Sequence, residues 1–175
     1  MEGLPKTLLP PWAIKKSLLS PFPKRGGACL PAGRGDSSEK TMKDEEIKHT
    51  LSKFKIVAVV GISPKEDRPS YIVASYLKSK GYRIIPVRPD GEEILGERVY
   101  HSLSEIPKEI GVEVVDIFRR SEDVPPVVEE AVQRGAKVVW MQEGIIHKEA
   151  GEKAAKAGLK VVMDRCMKKE HQRLF

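Results

Sequence analysis

From Phe54 onward the chain alternates short β-branched runs with longer amphipathic stretches, and this alternation constrains the fold more than any other feature. A short run that is apolar at successive positions has both of its faces buried, which is the pattern of a parallel sheet covered by helices on both sides. Five runs are expected to be strands: Ile56 to Val60, Arg83 to Val87, Glu113 to Phe118, Lys137 to Met141 and Leu159 to Met163. Between them Pro69 to Lys80, Val124 to Arg134 and Lys148 to Ala157 read as helices. Each is followed by a glycine (Gly81, Gly135, Gly158) where a left-handed residue ends a helix. A leading helix is expected over Lys43 to Lys53, with Ile47 and Leu51 one turn apart. The segment between the second and third strands is less regular. Gly91 to Gly96 reads there as a turn or small hairpin, and Leu103 to Ile110 as a short helix broken at Pro107. The expected fold is a doubly wound α/β domain with a parallel sheet of about five strands. Right-handed crossovers favour the order 3-2-1-4-5, with a topological switch between strands 1 and 4.

The domain is expected to occupy residues 42–175. Residues 1–41 are rich in proline and glycine without sustained periodicity, and read as a disordered basic extension. They hold seven basic groups against three acids, which leaves only +2 of the net charge of +6 for the remainder. With the folded part nearly balanced, and without basic runs interleaved with aromatics, nucleic acid is not an expected partner. No apolar stretch approaches the roughly 20 residues that span a bilayer, so no membrane association is expected. Two cysteines, Cys29 and Cys166, are too few for a disulfide framework and lack metal-ligand spacing. The expectation is a cytoplasmic protein without a metal site. A charged fraction of 32% with no asparagine fits a thermophilic source.

Ligands of open α/β sheets bind beyond the carboxyl ends of the strands. Here those ends are basic. Strand 1 runs into Gly61-Ile62-Ser63-Pro64-Lys65, with Arg68, Pro69 and Ser70 opening the next helix; Arg88-Pro89 follows strand 2 and Arg119-Arg120-Ser121 follows strand 3. A helix N-terminus offers free N–H groups and partial positive charge, and Gly61 allows a tight turn close to a phosphate. The expected ligand is polyanionic. The dinucleotide fingerprint G-x-G-x-x-G is absent, and strand 2 runs into Val87-Arg88-Pro89 where NAD proteins carry a ribose-binding acid. NAD is disfavoured, while Arg88 suits a ribose phosphate of the kind that both NADP and coenzyme A (CoA) carry.

The string Gly61-Ile62-Ser63-Pro64 with Asp67-Arg68-Pro69-Ser70-Tyr71 resembles the small stand-alone CoA-binding proteins. The likeness continues through Pro86-Val87, Asp116-Ile117-Phe118-Arg119-Arg120-Ser121, Trp140-Met141-Gln142-Glu143-Gly144 and Asp164-Arg165-Cys166. It extends to the Rossmann-like CoA-binding domain that opens the succinyl-CoA ligase α-subunit, whose phosphorylated histidine lies in a second domain. The resemblance implies that Gly61, Ile62 and Ser63 cradle the diphosphate while Arg68 and Ser70 add a charge and a hydroxyl. It further implies that Val87 and Arg88 flank the adenosine, that Phe118, Arg119 and Ser121 form the far side of its pocket, and that Gln142, Glu143 and Gly144 line the pantetheine path. The family usually carries asparagine where Arg88 stands.

The expected function is non-catalytic binding of CoA or acyl-CoA, as carrier, sensor or partner-dependent module. An NADP-dependent reductase and a regulatory CoA-binding subunit of a ligase-like complex are the alternatives, and a homo-oligomer or protein partner stays open. His101, His147 and His171 are expected at the surface or at helix caps, with His171 nearest the ligand rim. Cys166, by default a small packing residue, is also positioned to exchange its thiol with that of the coenzyme.

Overall fold

A computed structural model describes residues 42–175; the expected extension at residues 1–41 lies outside the described residues. The helices are α1 (Asp44–Lys53), α2 (Pro69–Ser79), α3 (Val124–Gln133), α4 (Lys148–Lys156) and α5 (Met167–Leu174). The strands are β1 (Ile56–Val60), β2 (Arg83–Val87), β3 (Glu93–Ile94), β4 (Glu97–Arg98), β5 (Val114–Ile117), β6 (Val138–Met141) and β7 (Lys160–Val162). Five of these strands, β1, β2, β5, β6 and β7, form one all-parallel sheet.

Strand side chains alternate between the two faces of a sheet, and here both faces are packed. Val57 and Val59 of β1, Val114 of β5 and Trp140 of β6 join α1, α2 and α5 in one core layer. Ala58, Val60, Val115, Ile117, Val139 and Met141 join α3 and α4 in the other. This double burial is why the strands read as unbroken apolar runs. The three C′ glycines, Gly81, Gly135 and Gly158, are left-handed, as the sequence requires.

The sheet order is β2-β1-β5-β6-β7, which in terms of the long strands is 2-1-3-4-5. The expected order 3-2-1-4-5 is therefore corrected, and the switch point lies between β1 and β5. Pro86 gives the physical reason. It stands inside β2 and lacks an N–H, so a strand on its outer side would lose a ladder bond. An interior β2, as the order 3-2-1 demands, is disfavoured; an edge β2 loses nothing. The Pro86 carbonyl instead accepts the Tyr100 N–H at 3.0 Å, and the Arg88 N–H bonds the Tyr100 carbonyl at 2.9 Å. One bridge, between Val87 and Tyr100, covers the edge.

The β2-to-β5 connection contains the expected hairpin. β3 and β4 pair antiparallel around Leu95 and Gly96, both left-handed, as a two-residue primed turn needs. Leu103 to Ile110 is not a helix. Its bonds are single turns, Ile106 N–H to the Leu103 carbonyl and Ile110 N–H to the Pro107 carbonyl, because Pro107 has no N–H to continue a helix. Helix α5 was not expected. Its Arg173 guanidinium holds the Asp44 carboxylate of α1 with two bonds of 2.6 and 2.8 Å.

Candidate functional site

The carboxyl ends of β1 and β5 approach closely at the switch point. Gly61 leaves β1 with φ of 85° while its N–H donates to the Val87 carbonyl at 2.8 Å. A Cβ at this position would lie 2.9 Å from the Phe118 carbonyl oxygen and 3.2 Å from Arg119 Cδ. Glycine is thus required twice, by conformation and by space. Ile62 turns back into the α2 layer and is 2% exposed. The Ser63 N–H donates to Ser70 Oγ at 3.0 Å, and the Lys65 N–H to Ser63 Oγ at 3.2 Å. Ser70 Oγ is an acceptor within the loop, which leaves its hydroxyl proton to donate. Arg68 is the exposed N-cap residue of α2, and Pro69 occupies the first turn, where no N–H is needed.

Beside it lies a groove of about 410 Å³. Its apolar lining comes from Val60, Val87, Leu103 and Val127, and its polar lining includes Arg88, His101, Arg119 and Arg120. Val87, Arg88 and Arg119 are therefore brought together. Phe118 is not among them. It shares strand parity with Val114 and packs against the α1/α2/α5 layer, on the opposite side of the sheet. Ser121 is also outside the groove lining; its Oγ accepts the Ile146 N–H at 3.2 Å and ties down the loop after β6.

Gln142 is 4% exposed, and its Nε2 donates to both carboxylate oxygens of Asp116, at 2.8 and 3.0 Å. Burial pushes the Asp116 carboxyl up to about 7, against the opposing pull of the Gln142 bond. Glu143 is exposed and accepts from Lys169 Nζ at 2.6 Å, a contact that raises the Lys169 pKa, with a smaller contribution from Cys166. The Gly144 N–H donates to Asp164 Oδ1 at 2.7 Å. Cys166 is the half-buried N-cap residue of α5 and is a free thiol.

Of the histidines, His147 caps α4, its Nδ1 accepting the Ala150 N–H at 3.1 Å. His171 is not at the rim: it bonds the Tyr76 hydroxyl at 3.0 Å and packs edge-on against Tyr76 and Tyr82. Tyr82 in turn donates to the Leu51 carbonyl, at the end of the sheet where the strands begin. Among the described residues no group of three His, Cys, Asp or Glu side chains could hold a metal ion. No described helix is long and apolar enough to cross a membrane.

A family profile described as "CoA binding domain" matches residues 55–172. The chain belongs to the CoA-binding domain family. Every rim residue named above falls inside the match. The CoA-binding domain is 42% identical, over 126 residues, to the uncharacterised protein YneT of Bacillus subtilis, covering 72% of this chain and 92% of that protein. It is 34% identical over 104 residues to an ADP-forming acetate–CoA ligase of Archaeoglobus fulgidus, covering 58% of this chain but 15% of the ligase. A solved structure of a hypothetical protein from Pyrococcus horikoshii is 44% identical, with a TM-score of 0.73, covering 76% of this chain and 92% of that one.

Two contributors were not visible as site residues in the sequence. His101 reaches the CoA-binding domain's rim because Tyr100 bridges to β2, a pairing no periodicity announces. Asp116 did carry a signal, since an acid inside the run Val114-Val115-Asp116-Ile117 can be buried only with a partner.

Proposed function

We propose that this domain binds CoA or an acyl-CoA non-covalently and acts as a carrier, sensor or partner-dependent module without a catalytic step of its own. The observation that carries this reading is convergence within the family match. The Gly61 turn, the N-terminus of α2 and the groove bearing Arg88 and Arg119 meet at the carboxyl ends of β1, β2 and β5. The N-terminus of α2 and the guanidinium groups beside it suit a diphosphate, and the apolar groove floor suits a nucleoside. Across the rim, the loop of Gln142, Glu143 and Gly144 and the thiol of Cys166 give an extended pantetheine arm somewhere to run.

Thermal unfolding with added ligand tests this. A ligand of the native state alone stabilises by about 2.7 kcal/mol at 100 times its Kd. CoA should therefore raise the melting temperature while NAD does not, since no acid follows β2 directly to receive the NAD ribose. Equal shifts with both would refute the assignment. A regulatory subunit of a ligase-like assembly is the second reading, favoured by the likeness to part of an acetate–CoA ligase.

A further inference from the structure

Asp116 is the only acid in the five strands of the parallel sheet, and it is fully buried. Its register partners are Val59 and Trp140, so it lies on the face covered by α1, α2 and α5. Gln142 stands two residues beyond Trp140 and shares that face, one step nearer the carboxyl edge. Its Nε2 reaches back to both Asp116 oxygens, at 2.8 and 3.0 Å. The nitrogen and oxygen of an amide sit on opposite branches of one carbon, so Gln142 Oε1 is turned away from the carboxylate. That oxygen accepts no hydrogen bond among the described residues. Nor is it one of the fully buried polar atoms without a partner, which belong to Thr50, Arg88 and Arg134. It therefore keeps contact with solvent, and just past the end of β6 that solvent is at the rim.

The charge of Asp116 sets the direction of this amide. An ionised carboxylate only accepts, so it holds the NH2 end and repels the carbonyl. A protonated Asp116 has an O–H to donate, which suits Oε1, and the amide then turns its NH2 outward. No other charge competes for the carboxyl. Val59 and Trp140 flank it, and the Trp140 indole donates to the Arg165 carbonyl at 2.6 Å. On the covering helices, Tyr71 of α2 and Cys166 at the head of α5 pack on the same core layer. Tyr76 of α2 and His171 of α5 bond each other. The charged groups pair among themselves: Asp44 of α1 with Arg173, Arg165 with Glu170, and Lys169 with Glu143. None of these contributes to the raised pKa of about 7, which comes from burial. We infer that Asp116 is a positioning residue: through Gln142 it makes the rim an acceptor for an amide N–H of the ligand, and on taking up a proton it makes the rim a donor. This rests on the CoA reading above, whose pantetheine arm carries two such amides, and adds what orients the rim toward them. The acceptor is presented while Asp116 is ionised, so the contact is made above about pH 7 and lost as pH falls through that value.

Two measurements test this, one without ligand. The chain has no asparagine and three glutamines, Gln133, Gln142 and Gln172, so nitrogen–proton NMR shows Gln142 as one of three side-chain NH2 pairs, assigned by its loss in Gln142→Met. That pair should shift with a midpoint near pH 7. A neutral, water-soluble gadolinium chelate should broaden it below the midpoint and spare it above. The second measurement is calorimetric titration of CoA, and of adenosine 3′-phosphate 5′-diphosphate as the same nucleotide without the arm, into wild type and Asp116→Asn. Between about pH 5.5 and 8.5 the wild type should gain roughly 3- to 10-fold in CoA affinity over the variant, the range of one hydrogen bond made or lost. It should gain nothing over the variant for the arm-less nucleotide. Ionisation of the ligands cancels because both proteins meet the same ligands. An equal gain with both ligands would show that Asp116 acts through its charge and would overturn the positioning role, as would a Gln142 pair indifferent to pH. A titrating pair with no gain for either ligand would overturn the rim acceptor and leave the CoA reading standing. Should CoA fail to bind while the Gln142 pair titrates, the CoA reading falls together with the ligand contact, and the orientation of the amide stands.

Discussion

Replacing Asp116 with asparagine should remove a pH dependence of stability that the fold otherwise carries. The Asp116 carboxyl is fully buried in β5 between Val59 of β1 and Trp140 of β6, and burial pushes it up to about 7 from an ordinary value of 3.8. The only other influence on it is the Gln142 amide, which pulls the opposite way; no charged group contributes. Because the native state keeps this proton to higher pH than the unfolded chain, the native state binds more protons between about pH 4 and 7. Stability therefore falls across that window as pH rises, and the full loss persists above it. Three pH units of displacement correspond to about 4 kcal/mol, of which about 3 kcal/mol falls between pH 5 and 8. An asparagine is neutral throughout, and the Gln142 amide can flip to keep a hydrogen bond with it. Urea unfolding of wild type and Asp116→Asn at pH 5 and pH 8 measures the effect, because other carboxylates such as Asp44 cancel in the difference. The variant should gain about 3 kcal/mol on the wild type between the two pH values. Parallel stability curves would show that Asp116 titrates at an ordinary value, and the argument from burial would fail. A carboxylate that weakens the fold at neutral pH while fixing the amide of a rim residue trades stability for orientation, as functional positions do.

Gly61→Ala should destabilise the domain by about 2 kcal/mol or more and weaken CoA binding, since the added Cβ meets a backbone carbonyl in a left-handed conformation. Urea unfolding checks the first and titration the second; a change within about 0.5 kcal/mol would mean that the β1 exit yields easily. In a Cys29→Ser background, CoA disulfide should transfer one CoA-sized adduct to Cys166 by thiolate exchange, releasing one CoA thiol, and reductant should reverse it. Intact-mass spectrometry reads the adduct. A yield unaffected by Arg68→Ala, which removes a cation from the turn proposed to hold the diphosphate, would mark Cys166 as a packing residue with an accessible thiol.

The sequence by itself determined the five long strands, the helices that cross between them and the rim, though neither α5 nor the irregular course of Leu103 to Ile110. Runs such as Ile56–Val60 and Val138–Met141 read as strands because both of their faces are buried, and residues that end such strands, Gly61, Arg88 and Arg119, stand at the carboxyl edge in any parallel arrangement. Local periodicity encodes these facts because it depends only on how many faces of an element are covered. The tertiary structure decided which strand neighbours which, and with it which rim residues meet. Pro86 placed β2 at an edge and β5 beside β1, so that Arg119 crosses Gly61. The same arrangement sent Phe118 to the face opposite the groove, drew His171 into an aromatic cluster away from the rim, and brought His101 in through the Tyr100 bridge. The physical reason is that pairing order and the allocation of side chains to a face are set by hydrogen bonds between segments distant in sequence, whose competition no single segment records.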